Sequence, residues 1–188
     1  MSAILASFFF IFAAEMGDKT QLVALAFATR YRPKLVLIGI TIATLLVHLF
    51  SVTIGEVLGA SLPSFWISIA AGLAFIGFGI WTLRGDELDD EGEVKEHALG
   101  PLFTVGITFF LAELGDKTML ATVTLSSEYR DFVPVWIGST LGMVLADGLA
   151  VIVGIVAGKR LPEKTIQIVA ALIFIGTGIF TLVETIFL

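Results

Sequence analysis

Two short stretches of this sequence carry ionisable groups deep inside apolar runs. Glu15, Asp18 and Lys19 lie in the first run, and Glu113, Asp116 and Lys117 in the fourth. Both trios belong to one six-residue pattern, Glu-x-Gly-Asp-Lys-Thr, at 15–20 and 113–118. Runs this long and apolar read as membrane spans, where one charge at the centre costs about 2.5–3.5 kcal/mol. Six independent charges would cost on the order of 15–20 kcal/mol. They must face one another, water or an ion. On a continuous helix, turning about 100° per residue, Asp18 falls about 60° to one side of Glu15 and Lys19 about 40° to the other. The expectation is therefore one shared face in each copy.

Four convergent carboxylates, Glu15, Asp18, Glu113 and Asp116, form a hard oxygen donor set. It suits Ca²⁺, Mn²⁺ or Mg²⁺, and not Cu⁺ or Zn²⁺, which prefer sulfur and imidazole. With Lys19 and Lys117 charged the cluster is net negative, and a divalent cation would neutralise it. Without metal, repulsion and burial favour proton uptake by the same oxygens. Metal and protons then compete for one site, which is the thermodynamic basis of exchange. Thr20, Thr118, Gln21, Thr44, Thr140, His48 and Asp147 are supporting candidates. Gly17 and Gly115 either give room for close approach or let the backbone open. The opposing reading is a pair of buried salt bridges that only hold helices in register. Buried ion pairs are poor sources of stability, so that reading leaves a duplicated polar motif unexplained. A lone histidine such as His48 can also simply bond a neighbouring backbone.

The elements that must position these groups follow from composition. The chain has 188 residues, 57% hydrophobic and 15% charged, against about 25% charged in an ordinary soluble domain. Its mean hydropathy is +0.99. This excludes a soluble globular domain, a disordered chain and a nucleic-acid-binding module. Apolar stretches fall at about 3–29, 35–60, 65–83, 101–127, 132–158 and 165–187. Helix is the state lipid allows for such runs. The expected fold is an all-α polytopic membrane protein of six transmembrane helices. There is no cysteine, so disulfides, thiolate metal sites and catalytic thiols are excluded. The N-terminus shows neither a basic region before its apolar run nor an obvious small-residue cleavage site, so a cleaved leader is not expected.

The two halves align on each other. The motif repeats at an offset of 98; after a one-residue slip Gly39, Gly55 and Gly59 match Gly138, Gly154 and Gly158 at an offset of 99. His48 then aligns with Asp147, so the copies are not equivalent there. The expected organisation is a three-helix repeat at 1–84, an acidic linker at 85–100 and a second three-helix repeat at 101–188. Three helices per copy makes the repeats inverted. The linker alone accounts for the net charge of -6. Sorted by side, one face collects Arg30, Arg32, Lys34, Arg84, Lys95, Lys159, Arg160 and Lys164, and the other only Arg130. Cytoplasmic loops carry the basic excess, which places both termini outside and the linker inside. Inverted repeats with a midplane site are a recurrent transporter plan. Small residues four apart, Gly138, Gly142, Ala146 and Ala150, echoed by Gly39, Ala43, Val47 and Ser51, read as helix-packing ridges.

Two copies of this motif, in the first and fourth of six spans around an acidic loop, resemble the Gdt-type cation transporter family of the calcium/cation antiporter group. The resemblance covers essentially the whole chain. It implies that Glu15, Asp18, Glu113 and Asp116 bind the ion, with Lys19, Thr20, Lys117 and Thr118 completing the motifs. It further implies Mn²⁺ or Ca²⁺ exchanged for protons, with no permanently bound cofactor. Length and the lack of a targeting segment look like a bacterial member, favouring Mn²⁺ export at the plasma membrane. The expected partners are the cation, protons and the bilayer, with a homo-oligomer open and no nucleic acid. A passive channel, or an exporter of a small anionic solute using the lysines, is the alternative. An intramembrane enzyme is not expected: no His-Glu-x-x-His motif is present, and only His48 offers a base.

Overall fold

The computed structural model describes residues 2–84, 100–157 and 163–187. Among them every regular element is helical. The elements are α1 (Ala3–Glu15), α2 (Lys19–Arg30), α3 (Pro33–Ser61), α4 (Ser64–Arg84), α5 (Pro101–Glu113), α6 (Lys117–Tyr129), α7 (Phe132–Ala157) and α8 (Glu163–Phe187). Six transmembrane helices were expected, and the described residues form eight helices. The first and fourth apolar runs are each divided at the motif, into α1 and α2 and into α5 and α6. The acidic linker, with Lys95, and the bases Lys159 and Arg160 lie outside the described residues.

The division has a local cause. Gly17 has φ 80° and Gly115 φ 81°, a left-handed conformation that costs side-chain-bearing residues about 1–2 kcal/mol. Asp18 and Asp116 follow with extended backbone at the N-cap positions of α2 and α6. Glycine stops one helix and aspartate starts the next. The angular argument for an unbroken helix therefore does not apply to either motif.

The bundle exposes large apolar side chains and keeps its motif acids inside, the latter among buried apolar and small residues. On α3, Ile38, Ile42, Leu46, Phe50 and Ile54 are exposed, while Gly39, Ala43, Val47, Ser51 and Gly55 are buried. On α7, Leu141, Leu145 and Leu149 are exposed, while Gly138, Gly142, Ala146 and Ala150 are buried. Among the described residues, Pro33–Ser61 and Phe132–Ile152 are long and apolar enough to cross a membrane unaided. Ala3–Glu15, Phe65–Trp81, Pro101–Glu113 and Ala171–Phe187 are shorter apolar helices.

The buried ridges receive helices from the other half of the sequence. α1 packs on α7, α5 and α6 pack on α3, and α4 packs on α8. A Cβ at Gly142 would lie 2.5 Å from the Phe8 carbonyl oxygen of α1. One at Gly39 would lie 2.8 Å from the Val105 side chain of α5. Residues aligned by the duplication also touch. Thr44 Oγ1 lies 3.4 Å from Met143 Sδ, and the Phe75 and Phe174 rings are 6.3 Å apart. Phe10 joins that ring cluster, 4.9 Å from Phe75. A second core gathers Phe27, Val36, Ile40, Val105 and Phe109.

Candidate functional site

The two helix breaks are built alike. The Asp18 N–H donates to the Glu15 carbonyl at 3.0 Å, and the Asp116 N–H to the Glu113 carbonyl at 3.2 Å. Each break thus turns the chain within three residues. It brings the threonine of the motif back over its glutamate. Thr20 Oγ1 donates to the Glu15 carboxylate and also lies 3.2 Å from Asp18 Oδ2. Thr118 Oγ1 donates to Glu113 Oε2 at 2.6 Å. These contacts span five residues, a separation that an unbroken helix does not bring together.

Burial of the ionisable groups is nearly complete. Glu15 and Glu113 are 0% exposed, Asp18 2%, Lys117 4% and Asp116 6%. Lys117 Nζ forms an ion pair with Asp18 Oδ1, joining the second motif to the first. The side chain of Lys19 lies outside the described residues. Glu15 interacts electrostatically with Glu113, Asp18 and Lys117. Glu113 interacts with Asp116, Asp18 and Asp147. Asp147, from α7, interacts with Glu15 and Asp18. The acids of both motifs and Asp147 therefore share one electrostatic neighbourhood.

Among the described residues, several polar atoms in this interior have no protein hydrogen-bond partner. They are Glu15 Oε2, Glu113 Oε1, both Asp147 oxygens, both His48 ring nitrogens and Thr140 Oγ1. Buried polar groups are normally bonded, so these oxygens suit an occupant other than protein. Carboxylate and hydroxyl oxygens fit a hard divalent cation. Among the described residues, however, no three acids or histidines stand close enough to cage one ion in this conformation. A cavity of about 370 Å³ lies elsewhere, between α3 and α5. It is lined by Ile42, Leu46, Leu102, Phe103, Ile107 and Phe110 among others, and it includes none of the candidates.

Of the supporting candidates, Thr44 faces Met143, and Thr140 and His48 are buried apart from any bonded partner. Gln21 has a larger part than sequence reasoning gave it. Its Oε1 accepts from the Gly17 N–H at 2.8 Å, and its Nε2 donates to the Ala146 carbonyl of α7 at 3.0 Å. Nothing local announces a contact 125 residues away. The cross-motif pair of Asp18 with Lys117 was likewise not anticipated. The breaks did have a signal: glycine followed at once by an aspartate able to cap a helix.

The profile of the family described as "Divalent cation/proton antiporter GDT1" matches residues 3–90 and 101–187. The chain is 36% identical over 183 residues to the "Putative manganese exporter" of Vibrio cholerae, covering 96% of this chain and 90% of that one. It is 27% identical to a GDT1-like protein of Synechocystis sp., covering 93% of each. It is 30% identical to the chloroplastic GDT1-like protein 2 of Oryza sativa, covering 96% of this chain and 60% of the longer rice protein. No solved structure matches the chain. An all-helical bundle with apolar exterior and acids at two helix breaks, matched along nearly its whole length by that profile, belongs to the GDT1 family of divalent cation transporters.

Proposed function

We propose that this protein is a secondary transporter that exchanges a divalent cation for protons and exports the metal from the cytoplasm. Mn²⁺ is the favoured substrate and Ca²⁺ the alternative; the name of the Vibrio cholerae relative supports the first. The observation that carries the reading is the pair of helix breaks. Each holds a buried glutamate with one oxygen on a threonine and the other without a protein partner. Glu15, Asp18, Glu113 and Asp116 are the proposed ligands. Thr20 and Thr118 orient the glutamates, Gln21, Thr44, Thr140, His48 and Asp147 line the surroundings, and Lys19 and Lys117 balance charge.

The proposed architecture has six spans, with α1–α2 and α5–α6 each forming one broken span. Residues 1–84 and 101–188 are then inverted repeats joined by the linker at 85–100. The reciprocal packing of α1 on α7 and α5 on α3 supports this, as does contact between aligned residues Thr44 and Met143. Broken helices meeting at the midplane supply the ligands in such transporters, and one repeat rocks against the other around the site. In this scheme both termini face outward and the linker faces the cytoplasm of a bacterial cell.

Exchange follows from competition for the same oxygens. Cation binding draws the two breaks together, because the four acids are divided between them. Release to the other side leaves the carboxylates to take up protons, whose return resets the site. The reading in which the lysines carry a small anion is disfavoured, since Lys117 is already held by Asp18. The test is purified protein in liposomes, with Mn²⁺ or Ca²⁺ on one side and lumenal metal and pH followed together. Metal entry with proton exit, lost in Glu113→Gln, is expected. Metal entry without proton movement would refute exchange, and no metal movement would refute transport.

A further inference from the structure

The two motifs differ at the residue that follows them. After Thr20 comes Gln21; after Thr118 comes Met119. Gln21 is 2% exposed. It spans from the first break to α7, accepting from the Gly17 N–H at 2.8 Å and donating to the Ala146 carbonyl at 3.0 Å. It also reaches Met16 Sδ at 3.6 Å. At the second break the Gly115 N–H meets Met119 Sδ at 3.1 Å. A thioether accepts weakly and has no hydrogen to give. Met119 therefore cannot make the second bond that ties Gln21 to the opposing long helix. Exposure differs in step. Gly17 is partly buried, whereas Gly115 is exposed and Leu114 beside it is 43% exposed.

We propose that Gln21 is a positioning residue that fixes the first break to α7, which makes the second break, at 114–116, the less firmly held of the two. Only the consequence for transport rests on the cation-exchange reading. The geometry predicts an asymmetric pair: Glu15 and Asp18 stay registered against α7, and the second break is joined to them through the Lys117–Asp18 ion pair. Ala146 is also the residue before Asp147. The same bond thus sets the α7 turn whose carboxylate interacts with Glu15 and Asp18.

Backbone amide exchange measures this directly, because amides open according to the hydrogen bonds that hold them. Protein in nanodiscs would be followed by mass spectrometry through peptides covering 16–18 and 114–116. The first break should exchange slowly and the second fast. Gln21→Met, which copies the second motif, should speed exchange at 16–18 by roughly tenfold, the order expected for one buried hydrogen bond. Met119→Gln should slow exchange at 114–116 and keeps the experiment decisive if Gln21→Met folds poorly. In liposomes Gln21→Met should raise KM for Mn²⁺ while Vmax holds. Equal exchange at the two breaks in the native protein would overturn the proposal. So would unchanged exchange at 16–18 in Gln21→Met, or a loss of Vmax with KM unaltered. Exchange needs no transport, so a native protein that moves no metal would sink the exchange reading while the amides still judge Gln21.

Discussion

Replacing Thr118 by valine removes one hydroxyl and keeps the side-chain shape. That hydroxyl donates to Glu113 Oε2 at 2.6 Å, and Glu113 Oε1 has no protein partner. The substitution therefore removes the only hydrogen bond that the described residues give to a carboxylate that is 0% exposed. A hydrogen bond to a charged group is worth about 1.5–3 kcal/mol. If the bond serves to aim Glu113 at the cation, the whole of that energy appears in binding, roughly ten- to a hundredfold at about 1.4 kcal/mol per factor of ten. Initial rates of Mn²⁺ uptake into proteoliposomes, measured across metal concentration, give KM and Vmax separately. Thr118→Val should raise KM by at least about tenfold, and Thr118→Ser, which keeps the hydroxyl, should stay near the native value. Native KM in Thr118→Val would refute the aiming role. A Thr118→Ser protein as impaired as Thr118→Val would also refute it, because shape would then be the cause.

Other outcomes follow from the same geometry. Glu15→Gln and Glu113→Gln should each abolish Mn²⁺ transport in protein that still elutes as a folded species on size exclusion. Asp147→Asn should raise KM for Mn²⁺ severalfold without abolishing uptake, since Asp147 interacts electrostatically with Glu15 and Asp18 but bonds neither. Gly115→Ala meets no atom within 4 Å but inherits φ 81°. It should lower the melting temperature by a few degrees, from about 1–2 kcal/mol of backbone strain. Gly142→Ala should destabilise more, because its Cβ would press on the Phe8 carbonyl at 2.5 Å, whereas Gly77→Ala, with nothing within 4 Å in α4, should not destabilise at all.

What could be read from the sequence divides along a physical line. Helical character follows from hydropathy, because lipid leaves extended apolar backbone no other state. Small residues four apart announce a close approach, and α1, α5 and α6 make that approach. Burial of Glu15, Asp18, Glu113 and Asp116 follows from their place inside apolar runs. Hydropathy averages over side chains, however, and carries no information about φ. By hydropathy the runs around Gly17 and Gly115 therefore look continuous, and only the Gly-Asp pair within each points to an opening of the backbone. The expectation of one shared helical face failed for that reason. The contacts between Thr20 and Glu15 and between Thr118 and Glu113 replace it. The partner of Gln21 and the pairing of Asp18 with Lys117 depend on which helices meet, and no local pattern encodes that. The basic excess at Lys159, Arg160 and Lys164 concerns residues or side chains outside those described.

The reciprocal packing of the two halves also constrains the order of events at the ribosome. α1 enters the bilayer early, carrying Glu15 toward a hydrocarbon interior where a lone charge is unfavourable. The helix that covers it, α7, begins at Phe132 and has yet to be translated. The same holds for α3, whose small-residue ridge waits for α5 and α6. A nascent first half is therefore an unsatisfied intermediate, with acids and helix grooves open to lipid and to other membrane proteins. It must be sheltered by the insertion machinery or pair with a neighbouring copy until the second half arrives. A chain halted just after Arg84 should consequently be removed by quality control or rescued by co-synthesis of residues 101–188, rather than accumulate as a stable fragment of α1–α4.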